Sequence, residues 1–359
     1  MTSPTVALDA RLVGGTSTGD STYWTGLLHG IASLGPRMRF LLFSNAERPP
    51  GIPWCDAFEW ITVPARSGRW WSLATFPRAA RKAGADLVHT QYTLSPLAGA
   101  GITTIHDVSF FIGPEWFKRR DLAILRRTVP ASAKRARAVL TVSETSKGEI
   151  EKFIPAAKGK VTATPLACPP WIVPVARAEA QAKVQAAFGL DGPYMLSVGT
   201  RWPRKNMKLA VQAGQLLSSR FPHRLVLTGK PGWGEERSGE RVLATGYVDA
   251  PLLSALYSAA DLYLAPSFHE GFGLPILEAF ACGCPVLCSE GGALPETVGD
   301  AAQIQAGWDM REWTQAIEAL LGDSSKLDAL RKRGLARVAE FSWETTARKT
   351  LEIYERAMG

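Results

Sequence analysis

Cysteine is scarce in this chain, with five in 359 residues. Cys55, Cys168, Cys282, Cys284 and Cys288 are an odd set without the spacing of a disulfide scaffold, which suits a reducing compartment. In CGCPVLC, Cys284 and Cys288 fall in an apolar, strand-like run, and no nearby Cys or His completes a fourfold zinc set. They read as small buried hydrophobes, and no metal is expected. No apolar run reaches the ~18 residues of a membrane-crossing helix. The opening MTSPTVALDARLVGG has no basic segment leading into a long apolar stretch, so no signal peptide is expected. Internal repeats are missing, and a mild alanine bias is the closest approach to low complexity.

What is present describes a folded α/β protein. A chain of this length is long for one core, so two domains are expected. The net charge of +8 asks for an anionic partner, whether nucleotide, nucleic acid or membrane surface. VALDARLV, RFLLFSN, ADLVHTQ, GITTIHDVS and AVLTVS read as strands of a first half, and YMLSVGT, HRLVLTGK, DLYLAPS and CPVLCSE as strands of a second. Between them, segments such as TYWTGLLHGIASLG and LAVQAGQLLSSRF carry apolar residues at helical spacing. That alternation predicts two parallel sheets covered by helices. From Val161 to Gly192 the rhythm breaks into proline-rich and then alanine-rich sequence, which reads as a linker.

In open α/β sheets, ligands bind at the carboxyl ends of the strands. The unusual residues gather in the loops there. HEGFGLPILEAFACGCP follows the strand DLYLAPS, with Pro275 suited to a first helical turn and Gly283 to the helix end. Gly271 and Gly273 allow backbone amides to approach a ligand, and a helix mouth favours anions. Glu270 on the loop and Glu278 one turn into the helix could flank one bound molecule, accepting hydrogen bonds from its hydroxyls. A solvated helix start with acids for the helix dipole is the plainer reading. In VGTRWPRKN, Arg204 and Lys205 stand where a phosphate would need cations. TGKPGWGEE is a third, glycine-rich loop. In the first half, GGTSTGDSTYW places Gly14, Gly15 and Gly19 at a helix start without a dinucleotide fingerprint. TIHDVS puts His106 and Asp107 at a strand end, whereas His29 and His223 read as structural.

TIHDVSFF, VLTVSETSKGEI, VGTRWPRKN, LVLTGKPGW, the segment from TGYVDAPLL to FACGCPV, GALPETVGDAA and the terminal FSWETTA together resemble glycosyltransferase family 4, in its bacterial mannosyltransferase-like group. The most specific of these is the E-x7-E pattern from Glu270 to Glu278 with GFGLP inside it. The resemblance implies a retaining enzyme of the GT-B fold, with two Rossmann-like domains facing each other across a cleft. Residues 1–168 would bind the acceptor, residues 169–340 the nucleotide-sugar donor, and 341–359 would form a helix packing back on the first domain. Arg204 and Lys205 would neutralise the donor diphosphate without a strict need for metal or other cofactor. Glu278 would bind the ribose hydroxyls and Glu270 the donor sugar. Amides of Gly271, Phe272, Gly273 and Leu274 would contact sugar and phosphates, Val248 would lie beside the base, Gly19 would approach the diphosphate, and His106 would contact the donor sugar near the acceptor. Where the family often reads GIGRY this chain has GDSTY, and Arg201 and Trp202 replace the usual Leu and Glu.

The implied donor is GDP-mannose, with UDP-glucose, UDP-N-acetylglucosamine or a deoxysugar nucleotide as alternatives, and the implied acceptor is a glycan or lipid-linked hydroxyl. FKRRDLAILRRTVPASAKRARAV holds eight basic residues and one acid, from Lys118 to Arg137, and RSGRWWSLATFPRAARK interleaves cations with Trp70 and Trp71. Such a surface could lie on anionic lipid, placing the protein in the cytoplasm, peripheral at the inner face of the plasma membrane. A solvated basic face is the alternative. A glycoside hydrolase would use two carboxylates but not the Arg204–Lys205 pair. An epimerase would act on the free nucleotide-sugar. Nucleic-acid binding would explain the charge, yet no stacking platform or recognition motif appears, and no nucleic-acid partner is expected.

Overall fold

The computed structural model describes residues 3–15, 19–232 and 241–359. Two compact units divide the chain, one formed by residues up to Leu166 together with Ser342–Gly359, the other by Ala167–Phe341.

The first unit holds β1 (Thr5–Asp9), β2 (Arg39–Ser44), β3 (Phe58–Thr62), β4 (Leu87–Gln91), β5 (Gly101–Thr104), β6 (Val139–Thr141) and β7 (Val161–Ala163), ordered β3-β2-β1-β4-β5-β6-β7. The second holds β8 (Tyr194–Val198), β9 (Arg224–Thr228), β10 (Val242–Gly246), β11 (Leu262–Ala265), β12 (Val286–Ser289) and β13 (Gln303–Gln305), ordered β10-β9-β8-β11-β12-β13. Every pairing is parallel. Central strands such as TVALD and LYLA are buried at each residue, because helices cover both faces of a parallel sheet. Each unit is thus a Rossmann-like α/β layer structure. Strand order reverses between β1 and β4 in the first unit and between β8 and β11 in the second, and crevices open at such switch points.

The stretch from Val161 to Gly192 is more ordered than a linker. It begins with β7 and contains the helix Arg177–Phe188, and the Val173 and Val175 amides donate to Ser254 and Ser258.

The terminal helix Trp343–Met358 lies against the helix Gly19–Leu34 within the first unit. The approach is close enough to demand glycine: a Cβ on Gly26 would fall 2.2 Å from the Trp343 ring, and one on Gly30 would fall 2.1 Å from the Trp343 carbonyl oxygen. Tyr354 on that helix reaches 2.7 Å from His89 Nδ1 on β4.

One expected surface residue is a core residue. Trp71 is 0% exposed, donates from Nε1 to Asp9 Oδ1 at 3.0 Å and stacks on Phe76. The segment Trp71–Thr75 turns the indole toward the sheet, so Trp71 cannot meet a membrane, whereas Trp70 is 53% exposed and Leu73 49%.

Candidate active site

The switch point of the second unit is where its charged residues converge. After β8 the chain passes through Gly199 into the tight turn Pro203–Lys205 ahead of the helix Met207–Leu217. After β11 it enters the loop carrying Ser267 and Glu270 before the helix Leu274–Ala281. The two loops are stitched by the Phe268 amide donating to the Arg204 carbonyl oxygen at 2.8 Å.

Glu270 is the hub. Arg204 Nη1 donates to its Oε2 at 2.8 Å, while Lys205 Nζ and Ser267 Oγ donate to Oε1, each at 2.6 Å. Arg204 also donates to the His269 carbonyl oxygen. Burial would raise the proton affinity of Glu270, but Arg204 and Lys205 outweigh it and hold the carboxyl well below the usual carboxylate range. The cavity beside it is lined by Lys205, Tyr263, Ser267, Glu270 and Gly273, among others.

Glu278 takes the opposite course. Burial pushes its carboxyl up to about 7, against the hydrogen bond from Tyr257 and the charge of Lys205. The Tyr257 hydroxyl donates to Oε2 at 2.8 Å. Tyr263, whose ring centre lies 5.7 Å from that of Tyr257, feels both glutamates and joins the two halves of the motif.

Among the described residues no side chain caps the helix Leu274–Ala281, whose start is set by Gly273 at φ 97°. Gly271, Phe272 and Leu274 are buried around that start, and Phe272 packs on Phe341 while its carbonyl oxygen accepts from Thr297 Oγ1. The helix ends at Ala281 with Cys282 as its cap, one residue before the Gly283 expected there. Val248 follows the edge strand β10 and is half-buried, two strands from β8. Trp202 is exposed, and the Arg201 amide donates to the Lys230 carbonyl oxygen.

Gly19 and His106 belong to the first unit. Gly19 opens the helix Gly19–Leu34, and a Cβ there would meet nothing within 4 Å. His106 follows β5, is buried, and sets Nε2 3.2 Å from Gln91 Oε1 and 3.6 Å from Asp20 Oδ1. Thr16, Ser17 and Thr18 of the first glycine-rich loop, and the part of TGKPGWGEE from Trp233 onward, lie outside the described residues.

Four contributors went unread in the sequence. Ser267 and Tyr257 hold the two carboxylates, and Gly291 and Gly292 let the loop after β12 press against the Glu270 loop. A Cβ on Gly292 would fall 2.4 Å from the Glu270 carbonyl oxygen. The Ala293 amide donates to that same oxygen at 2.9 Å. The signal available was the Gly-Gly pair directly after CPVLCSE, at a strand end.

Two Rossmann-like units in one chain are the architecture of GT-B glycosyltransferases. Residues 18–167 match the family described as Glycosyltransferase Family 4, and residues 192–323 match Glycosyl transferases group 1. The chain is 36% identical to the O-antigen chain mannosyltransferase B of Escherichia coli, over 71% of this chain and 70% of that protein. It is 31% identical to the D-inositol 3-phosphate glycosyltransferase of Nocardia farcinica, over 76% of this chain and 61% of the relative. Its backbone resembles sucrose-phosphate synthase from Thermosynechococcus elongatus at TM-score 0.76, with 22% identity and 99% of each chain covered. The chain belongs to glycosyltransferase family 4 and is a glycosyltransferase.

Proposed function

We propose that the enzyme transfers mannose from GDP-mannose, with retention of configuration, to a hydroxyl of a glycan or lipid-linked acceptor. The observation that carries this reading is the Arg204–Glu270–Lys205 cluster at the carboxyl ends of β8 and β11. Arg204 and Lys205 are fixed cations for a leaving diphosphate, supplying in place of a metal ion the charge stabilisation that the transition state needs. Glu270, kept ionised by those same cations, accepts hydrogen bonds from donor-sugar hydroxyls, and Glu278 accepts from the ribose. The Gly271–Leu274 amides complete the donor contacts at the helix start, and Val248 flanks the base. His106 and Gly19, at strand and helix ends of the first unit, serve the sugar and diphosphate. As the bond from the anomeric carbon to phosphate oxygen breaks, the acceptor oxygen bonds that carbon on the same face and passes its proton to the departing phosphate. Mannose as the sugar is favoured by the name of the Escherichia coli relative.

Thermal unfolding in the presence of GDP-mannose, UDP-glucose, UDP-N-acetylglucosamine and a deoxysugar nucleotide tests the donor. GDP-mannose should raise the midpoint most, since a ligand bound only to the folded state stabilises it by mass action. A larger rise with another donor would replace mannose. Mannose epimerised without an acceptor would replace transfer itself.

No helix among the described residues is long and apolar enough to cross a membrane. Membrane contact is therefore proposed as peripheral. Trp70 and Leu73 project from the segment that Ser95 ties down through the Leu73 carbonyl oxygen, and the adjacent Leu94 amide bonds Ser132 of the helix Arg119–Arg135. Lys118, Arg119, Arg120, Arg127 and Lys134 are exposed on and just before this helix. Arg126 and Arg135 are engaged by carbonyl oxygens of Phe110 and Leu94, and Arg137 by that of Ala357. Replacing Trp70 and Leu73 by Ala should weaken sedimentation with anionic vesicles about tenfold, on the scale of burying the exposed halves of two apolar side chains. Unchanged sedimentation would leave the face simply solvated.

A further inference from the structure

The first unit carries its own polar cluster near its switch point, and that cluster contains one of the three residues by which GDSTY departs from the family's frequent GIGRY. Asp20 occupies the first turn of the helix Gly19–Leu34, where the family pattern has an isoleucine. Its Oδ1 lies 3.6 Å from His106 Nε2, and its side chain is 42% exposed.

Gln91, the last residue of β4, fixes the arrangement. Its Nε2 donates to the Asp20 backbone oxygen at 3.0 Å, which turns its Oε1 toward His106 Nε2 at 3.2 Å. An acceptor oxygen at that distance calls for the proton on Nε2. That N–H is donated to Gln91, with the Asp20 carboxylate close enough to act on it through its charge. The ring is held edge-on against Tyr23, with centroids 4.9 Å apart at 84°, and tilted against Tyr92 at 5.7 Å.

The titratable groups facing His106 are Asp20 from the helix, Asp107 from its own loop, His89 from β4, and the two tyrosines. Burial lowers the proton affinity of His106, while Asp20 and Asp107 raise it. Asp107 Oδ1 accepts from the Ser109 amide at 2.8 Å and from its hydroxyl at 2.6 Å. His89 is buried, driven down to about 3, and set between Tyr354 and Thr104. At 3.6 Å the Asp20 carboxylate acts on the ring through its charge, and it accepts no hydrogen bond among the described residues.

We propose that Asp20 is a positioning residue for His106, its carboxylate and Gln91 together fixing the Nε2–H edge of the ring so that the opposite edge is offered to the substrate. The idea rests on the reading of His106 as a substrate contact. An isoleucine at this position would keep the backbone oxygen that Gln91 bonds but has no carboxylate, so the charged half of the device belongs to the sequence departure and not to the family pattern.

The test uses the full chain with histidine resonances followed by NMR across pH, the His106 signal identified by its loss in His106→Gln. In Asp20→Asn the proton affinity of His106 should drop about tenfold, as expected when a carboxylate within ~4 Å loses its charge. The limb of the kcat/KM profile governed by His106 should move to lower pH in step, and Asp20→Glu should restore both, with the donor KM unchanged. A folded Asp20→Asn protein whose His106 titration and profile are unmoved would overturn the proposal. Wild-type turnover in His106→Gln would instead refute the role of His106, and the titration would still report whether Asp20 couples to the ring.

Discussion

Glu270 and Glu278 are buried to the same degree, 8% exposed each, and eight positions apart, yet their proton affinities move in opposite directions. The difference lies in the partners supplied by neighbouring loops. Glu270 sits on the loop between two cations and a serine hydroxyl, so burial strengthens its ion pairs. Glu278 sits on the helix opposite a tyrosine, with Lys205 acting on it only through its field. Burial by itself therefore says little about a carboxylate's charge state; what it is buried against decides. In the proposed donor site, the contrast assigns permanent charge to the acid beside Arg204 and Lys205 and a titrating one to the acid farther along the helix.

The largest expected effect comes from removing the acid between the cations. Glu270→Ala should reduce transfer by at least a thousandfold and, by stranding two half-buried cations, cost about 3 kcal/mol of stability. Initial rates and denaturant melts check both; turnover within tenfold of wild type would break the comparison at its stronger end. A smaller effect of opposite sign is expected for Glu278→Gln. Between pH about 4.5 and 7 the folded protein retains a proton on Glu278 that the unfolded chain has released. The stability associated with this group is thus full below pH 4.5 and lost as pH rises to about 7. Glu278→Gln should therefore be more stable than wild type at pH 8 by roughly 3 kcal/mol, the gain shrinking to nothing below pH 4.5. Melts across that range that stay parallel would show that Glu278 titrates normally.

Much of the fold was legible, and the failures have a common cause. The strands that went unread, β3, β7, β10 and β13, are the four sheet edges. Edge strands have neighbours on one side only, so FEWIT and QIQ carry half-exposed residues through most of their length where central strands are buried except at some ends. Central strands announce themselves as apolar runs; edge strands do not. The candidate site was legible in its strand-end loops, because glycine, cations and acids stand out after apolar runs. Tyr257 was not, since its partner Glu278 is 21 residues away and only the packing of two helices brings them together. Trp71 misled because its aromatic and basic neighbours suggested a surface, while the turn at Trp71–Thr75 points this indole inward and leaves Trp70 outside.

The central claim is that the cations on Glu270 form the diphosphate site of a sugar-nucleotide transferase. Calorimetric titration of GDP-mannose into wild type and Lys205→Ala tests it most directly. Loss of one charge-assisted contact should weaken binding about tenfold to a hundredfold, with the deficit narrowing at high salt. Equal affinity in a folded Lys205→Ala protein would contradict the account.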